Sequence, residues 1–208
     1  MYSTAARANT LQMLASYAAL GAAIASRDAD IAIRPIVADT AAVRPGSDGN
    51  FSFRSLPPGR FIIAPSLPQG ACLLDVLQEG KSILESGLTV GSAKPDPIEV
   101  IIAAQCAKME GVIQDGNLPR GLKRVVLIPN EPHRHSYGLY RLVATDQHGH
   151  FSIDGVPPGA YKLFAWRSIP DNAWTMEQYL MPYEDRGTAV DVPESGIKSD
   201  LKVQLILD

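Results

Sequence analysis

No stretch of this chain reaches the roughly 18–20 consecutive apolar residues that a membrane-spanning helix needs. An excess of charge of one sign is also missing, with 19 Lys and Arg against 22 Asp and Glu for a formal net charge of −3. The basic residues stand singly or in short pairs such as Lys123-Arg124, so no footprint for a phosphate backbone exists and nucleic acid is not an expected partner. Cysteine is nearly absent. Cys72 and Cys106 stand alone, without a C-x-x-C or Cys/His spacing that would hold zinc. Two buried thiols are the expected reading, with a disulfide as the alternative if the chain is exported.

Catalytic signatures are missing as well. No H-E-x-x-H or H-x-x-E occurs for a zinc peptidase, and no serine sits in a G-x-S-x-G elbow. Gly80-Lys81-Ser82 has the tail of a phosphate-binding loop, but Asp75 stands where that loop requires its first glycine. The four histidines form two H-x-H pairs, His133/His135 and His148/His150. With an extended segment between them the pairs lie roughly 25–30 Å apart, and neither has a third ligand that the sequence nominates. The reading is therefore a non-enzyme with no metal and no cofactor.

What the chain does contain is the composition of a globular protein, 46% hydrophobic and 20% charged, long enough for two small domains. Residues 1–28 are rich in alanine, with Arg7 ahead of a mostly apolar stretch from Leu11 to Ala25 that ends in Ala23-Ile24-Ala25. That pattern suits a signal peptide or a helix, although Gln12, Ser16 and Tyr17 dilute the apolar stretch.

An internal repeat organises the rest. Gly49-Asn50-Phe51-Ser52-Phe53 followed by Leu56-Pro57-Pro58-Gly59-Arg60-Phe61 recurs one hundred residues later as Gly149-His150-Phe151-Ser152-Ile153 and Val156-Pro157-Pro158-Gly159-Ala160-Tyr161. Phe51/Phe53 and Phe151/Ile153 alternate with polar neighbours, the period of a strand with one buried face. Pro-Pro-Gly stops that strand and turns the chain, and Phe61/Ile63 or Tyr161/Leu163 begin the next. Around the second copy further strands are expected near Met109–Gln114, Val125–Pro129, Tyr137–Thr145, Thr188–Val192 and Leu201–Leu207. Together these make about seven short strands in roughly 110 residues, the pattern of an antiparallel sandwich. Ile31 to Pro35 matches Val125 to Pro129, but nothing before Ile31 matches the opening strand around Gly111. The first copy is thus read as truncated, with one sheet edge unpaired.

Gly111-Val112, Val125 to Pro129, Asp146 with Gly149, Phe151 and Ile153, and Gly155 to Tyr161 together resemble the carboxypeptidase-regulatory-like domains. These are transthyretin-like β-sandwiches also grouped with the carbohydrate-binding-like fold. Tyr161 to Trp166, Ile169-Pro170, Trp174 and Tyr183-Glu184 look like the version found as tandem copies in bacterial envelope proteins. The resemblance implies an all-β fold of two tandem prealbumin- or Ig-like antiparallel sandwiches. Residues 1–28 would be the alanine-rich segment, 29–106 the truncated module and 107–208 the complete one. It also implies an extracytoplasmic binding or spacer protein whose partner is a carbohydrate or an envelope protein.

A carbohydrate-binding module and a degenerate transthyretin-like hydrolase are the alternatives. The Tyr-Arg-Gly-Ser that marks transthyretin-like hydrolases is absent from Leu205 to Asp208. Should a ligand bind, the candidate residues are Trp166, Trp174, Tyr179, Tyr183, Asn172 and Glu177, where aromatics and polar groups lie close in sequence. The competing reading makes these aromatics a plug over the sandwich core. Asp171 or Asn172 is expected to cap one short helix through Trp174 and Glu177 that Pro182 ends.

Overall fold

The computed structural model describes residues 10–17, 30–35, 41–54, 56–170 and 172–207. The chain divides into two compact units, Met1–Ala104 and Gln105–Asp208. Both are β-sandwiches.

In the first unit the strands are β1 (Thr10–Tyr17), β2 (Asp30–Pro35), β3 (Ala41–Val43), β4 (Asn50–Arg54), β5 (Gly59–Ser66), β6 (Cys72–Gln78), β7 (Lys81–Ser82), β8 (Leu88–Val90) and β9 (Ile98–Ala103). One sheet runs β4-β1-β9-β6-β7 and the other β3-β2-β5-β8. Phe51, Phe53, Phe61, Ile63, Val76, Leu88, Val100 and Ile102 fill the core. The alternation read from the sequence therefore selects the inward face correctly.

The alanine-rich segment corrects the sequence reading. Thr10–Tyr17 is a strand where a helix or signal segment was expected, and it lies between β4, antiparallel, and β9, parallel. The remainder of residues 1–28 lies outside the described residues. Pairing on both sides satisfies the backbone of β1 and outweighs the helix preference of alanine, which is only a few tenths of a kcal/mol per residue over other side chains. The first unit accordingly has its opening strand, and the unpaired edge inferred from truncation is filled.

The second unit contains β10 (Ala107–Asp115), β11 (Leu118–Pro119), β12 (Arg124–Pro129), β13 (Arg141–Ala144), β14 (His150–Val156), β15 (Gly159–Trp166), β16 (Thr188–Val192) and β17 (Ile197–Ile206). The expected strand from Tyr137 begins instead with a 3-10 turn, Tyr137–Leu139. β10 repeats the part of β1, antiparallel to β14 and parallel to β17. The sheets are thus mixed rather than purely antiparallel. β17 pairs with β10 over most of its length and then with β15 at Leu205 and Ile206, so it links the two layers. Phe151, Ile153, Tyr161, Leu163, Val125, Leu127 and Val203 form the core. Burial pushes the Tyr161 phenol up to about 12, opposed by the nearby charge of Arg141.

The repeated turn shows how the two copies reach one geometry with different residues. Gly49 and Gly149 both take a left-handed conformation, φ 77° and 86°. In the second copy Asp146 Oδ1 accepts the backbone N–H groups of His148 and His150. In the first, Gly46 stands at that position, and Asp48 supplies the carboxylate, accepting the N–H of Asn50 at 3.0 Å. A Cβ on Gly46 would lie 2.8 Å from that Asp48 oxygen.

The cysteines also correct the expectation of two thiols. Neither is free, and Cys72 and Cys106 form a disulfide. Antiparallel pairing of β6 and β9 sets Cys72 opposite Ala103, which brings Cys106, three residues on, within bonding reach. Closing a loop of about 35 residues stabilises the fold by about 4 kcal/mol in the chain-entropy treatment.

Phe151, 5% exposed in this core, tests the register. Phe151→Ala is expected to cost about 3–5 kcal/mol in chemical denaturation. A loss below about 1 kcal/mol would mean that the side chain faces solvent.

Candidate functional site

The two units differ most between the strand after Pro-Pro-Gly and the next one. In the first, residues 67–87 carry the strands β6 and β7. In the second, residues 167–187 form a helical cap: a 3-10 turn at Ala173–Thr175, the helix α1 (Glu177–Leu180) and a 3-10 turn at Met181–Arg186.

The cause lies on the outer face of the sheet. On β15, Tyr161, Leu163 and Ala165 point to the core, whereas Phe164 and Trp166 lie on the opposite face with Val126, Ile128 and Ile206. The first copy has Ala64 and Ser66 where the second has Phe164 and Trp166. Two large aromatics left on a solvated face would expose about 300–500 Å² of apolar side chain, so this face requires a cover. Trp174 and Leu180 provide it, both buried, with Tyr183 partly buried beside them. Phe164 and Trp166 stack at 5.4 Å, and the Tyr183 ring meets Trp166 edge-on at 5.9 Å. Gly187 ends the cap against the Phe164 ring, where a Cβ would lie 2.5 Å from the nearest ring carbon.

The helical pieces differ from the single capped helix expected. Asn172 takes a left-handed conformation, φ 63°, and its side chain makes no capping bond, while Pro182 starts the last 3-10 turn instead of ending a helix. Proline fits the first turn of a helix, where its missing N–H removes no bond. Asp171 lies outside the described residues.

The cap does not lie flat. Between it and the loop after β12 lies a cleft of about 520 Å³. Asn130, Glu131, Arg134 and His135 supply one wall, and Trp174, Glu177, Leu180 and Met181 the other. Lys162 and Glu184 also face it. The loop is held by Asn130 N–H donating to the Ala160 carbonyl at 2.9 Å and by the Tyr140 hydroxyl donating to the Arg134 carbonyl at 2.8 Å.

Glu184 ties the three parts together. Lys162 of β15 donates to its carboxylate at 2.7 Å and to its backbone carbonyl at 3.0 Å. Arg134 of the loop donates to the other carboxylate oxygen. Burial alone would push the Glu184 carboxyl up. The hydrogen bond from Lys162 and the charge and hydrogen bond of Arg134 outweigh it and hold the group below its ordinary value.

Of the residues nominated from sequence, Trp166 is 2% exposed and Trp174 6%, so neither is an exposed stacking platform. Trp166, Trp174 and Tyr183 come together as the plug over the outer face. Tyr179 packs on Tyr183 at 5.7 Å, and the Arg186 guanidinium lies 5.9 Å from the Tyr183 ring centre. An edge of Trp174 and the exposed Glu177 line the cleft, whereas Asn172 lines a second hollow of about 420 Å³ with Arg124 and Leu142. Sequence reasoning missed Asn130, Glu131, Arg134, His135, Lys162 and Glu184. A usable signal was Lys162, the one charge inside the apolar run from Tyr161 to Trp166.

No family model matches the chain, and no curated protein does. Solved structures similar to it include the TIE protein of Bacillus anthracis, 15% identical over 95% of this chain and 34% of that one, with a TM-score of 0.33. The chain thus spans about a third of the length of that protein. The minor pilin GBS52 of Streptococcus agalactiae is 14% identical over 94% of both chains, with a TM-score of 0.30. A streptococcal ancillary pilin is 11% identical over 95% of this chain and 62% of its own, with a TM-score of 0.35.

Two variants test this geometry. Trp174→Ala is expected to lower stability by about 3–5 kcal/mol, as for a buried aromatic. A change under about 1 kcal/mol would mark the ring as dispensable to the cap. Because the folded state holds Glu184 below its ordinary value, its contribution is complete above the unfolded carboxyl value of about 4.3 and is lost as pH falls through the folded one. Glu184→Gln should therefore cost about 1–2 kcal/mol at neutral pH, between an exposed and a buried pair. The deficit should shrink in acid, as read from melting temperatures against pH. A deficit that stays constant down the acid limb would show that the charge is not what holds the cap.

Proposed function

We propose that this is a non-catalytic extracytoplasmic binding and spacer protein, built of two carboxypeptidase-regulatory-like sandwiches, the second of which carries the ligand site. The observation that carries the reading is the cleft under the helical cap, confined to the copy whose outer face bears Phe164 and Trp166. Its volume falls in the range of about 300–1,000 Å³ typical of small-molecule sites. The Cys72–Cys106 disulfide favours an oxidising compartment. Among the described residues, no helix is long and apolar enough to cross a membrane. The repeated Pro-Pro-Gly motif supports the family assignment.

A degenerate hydrolase is the second reading, favoured by one observation: His135 lines the same cleft as the carboxylates of Glu131 and Glu177. A base at work would share a hydrogen bond with an orienting group. Among the described residues none joins His135 to either carboxylate.

Protein-observed NMR with a fragment set spanning polyols, carboxylates and amines decides the binding reading, with the Trp174 indole N–H as reporter. Saturable shifts there are expected for at least one class, and no turnover above background on glycoside and ester substrates. A cleft that no fragment perturbs would overturn the site. Turnover abolished by His135→Ala would replace the binding protein by the hydrolase.

A further inference from the structure

The cleft also indicates the chemistry of its occupant, and this inference rests on its being the ligand site. Its charges nearly balance. Arg134 and Lys162 are both committed to Glu184, which leaves neither as an open anion receptor. Glu131 and Glu177 are exposed carboxylates at the edge and make no hydrogen bond or ion pair among the described residues. An anionic ligand would meet these two carboxylates unscreened. A cationic one would meet Arg134 and Lys162 at the floor, so a ligand charged in either sense gives up in one part what it gains in the other.

A hydroxyl both donates and accepts, and the walls offer both functions. The carboxylates of Glu131 and Glu177 accept, the remaining guanidinium N–H groups of Arg134 donate, and the Asn130 amide does either. The other half of the lining is apolar: the edge of Trp174, Leu180 and Met181, the last 67% exposed. A ligand with hydroxyls around its rim and C–H groups on its faces satisfies both halves at once. We infer that the cleft under the cap binds a neutral, polyhydroxylated ligand, a short uncharged oligosaccharide, gripped by Glu131, Glu177 and Asn130 along one side with its ring faces against Trp174 and Met181. This differs from an exposed aromatic platform, since the buried Trp174 contributes an edge and the carboxylates carry the selectivity.

Calorimetric titration of the full chain tests the inference with matched trisaccharides: maltotriose, cellotriose and triacetylchitotriose as neutral probes, trigalacturonate and the deacetylated chitosan trimer as charged ones. At least one neutral probe is expected to bind, and the charged ones at least about tenfold more weakly. Glu131→Ala and Glu177→Ala should each lower the affinity about tenfold, as for hydrogen bonds to a charged group, with partial recovery in the corresponding Gln variants. Both positions are exposed, so the melting temperature should hold and a lost affinity can be read as a lost contact. Tighter binding of a charged probe would overturn the inference, as would neutral binding indifferent to both alanine variants. If fragments occupy the cleft but no neutral trisaccharide binds, the ligand class fails while the site stands. If neither binds, both fail.

Discussion

Two-sided burial of one sheet is the constraint on which the second unit depends. β12 reads Arg-Val-Val-Leu-Ile-Pro and is buried at every position after Arg124, so its residues serve two cores at once. Val125 and Leu127 face the sandwich interior, while Val126 and Ile128 face the cap. A sheet buried on both faces loses the apolar-polar alternation of a half-solvated one. Once Phe164 and Trp166 occupy the outer face, a cover becomes obligatory, and 167–187 is the segment that supplies it. In the first unit the corresponding positions of β5 carry the smaller Ala64 and Ser66, and the equivalent segment carries the strands β6 and β7 instead.

The cap brings a cost of its own. Trp166 Nε1 is buried without a hydrogen-bond partner among the described residues, a penalty of about 1–3 kcal/mol that the surrounding aromatic packing has to exceed. Charges cannot be left unpaired under such a cover, and Lys162 sits on the outer face within it. Glu184 resolves this by pairing Lys162 and Arg134 together. The same arrangement fixes the distance between the cap and the loop after β12. The cleft is what remains between two walls that the ion triad holds but does not bring into full contact.

The same unit thus supports a structural and a recognition role without conflict. The aromatic residues that drew attention in the sequence stabilise the cap. The polar residues that draw attention in the structure, Glu131, Arg134, Lys162, Glu177 and Glu184, come from four separate segments: the loop after β12, β15, α1 and the last 3-10 turn. Trp174 alone belongs to both sets in substance, buried by its body and presented to the cleft by an edge.

The sequence by itself determined the all-β class, the repeated strand–Pro-Pro-Gly–strand unit and the inward residues around it, because a period of two and a rigid turn are local properties. It did not reveal β1. An alanine-rich segment becomes a strand only because β4 and β9 stand ready on either side, and no residue within 10–17 announces those neighbours. The disulfide likewise awaited the register of β6 against β9. The site was legible only in part: Glu177 and Trp174 were found because they lie near other aromatics in sequence. Arg134 and Glu184, fifty residues apart, were not. Only the tertiary structure decided that pair, since a carboxylate and a guanidinium with no sequence proximity meet where a covered sheet face forces the covering segment onto a particular loop.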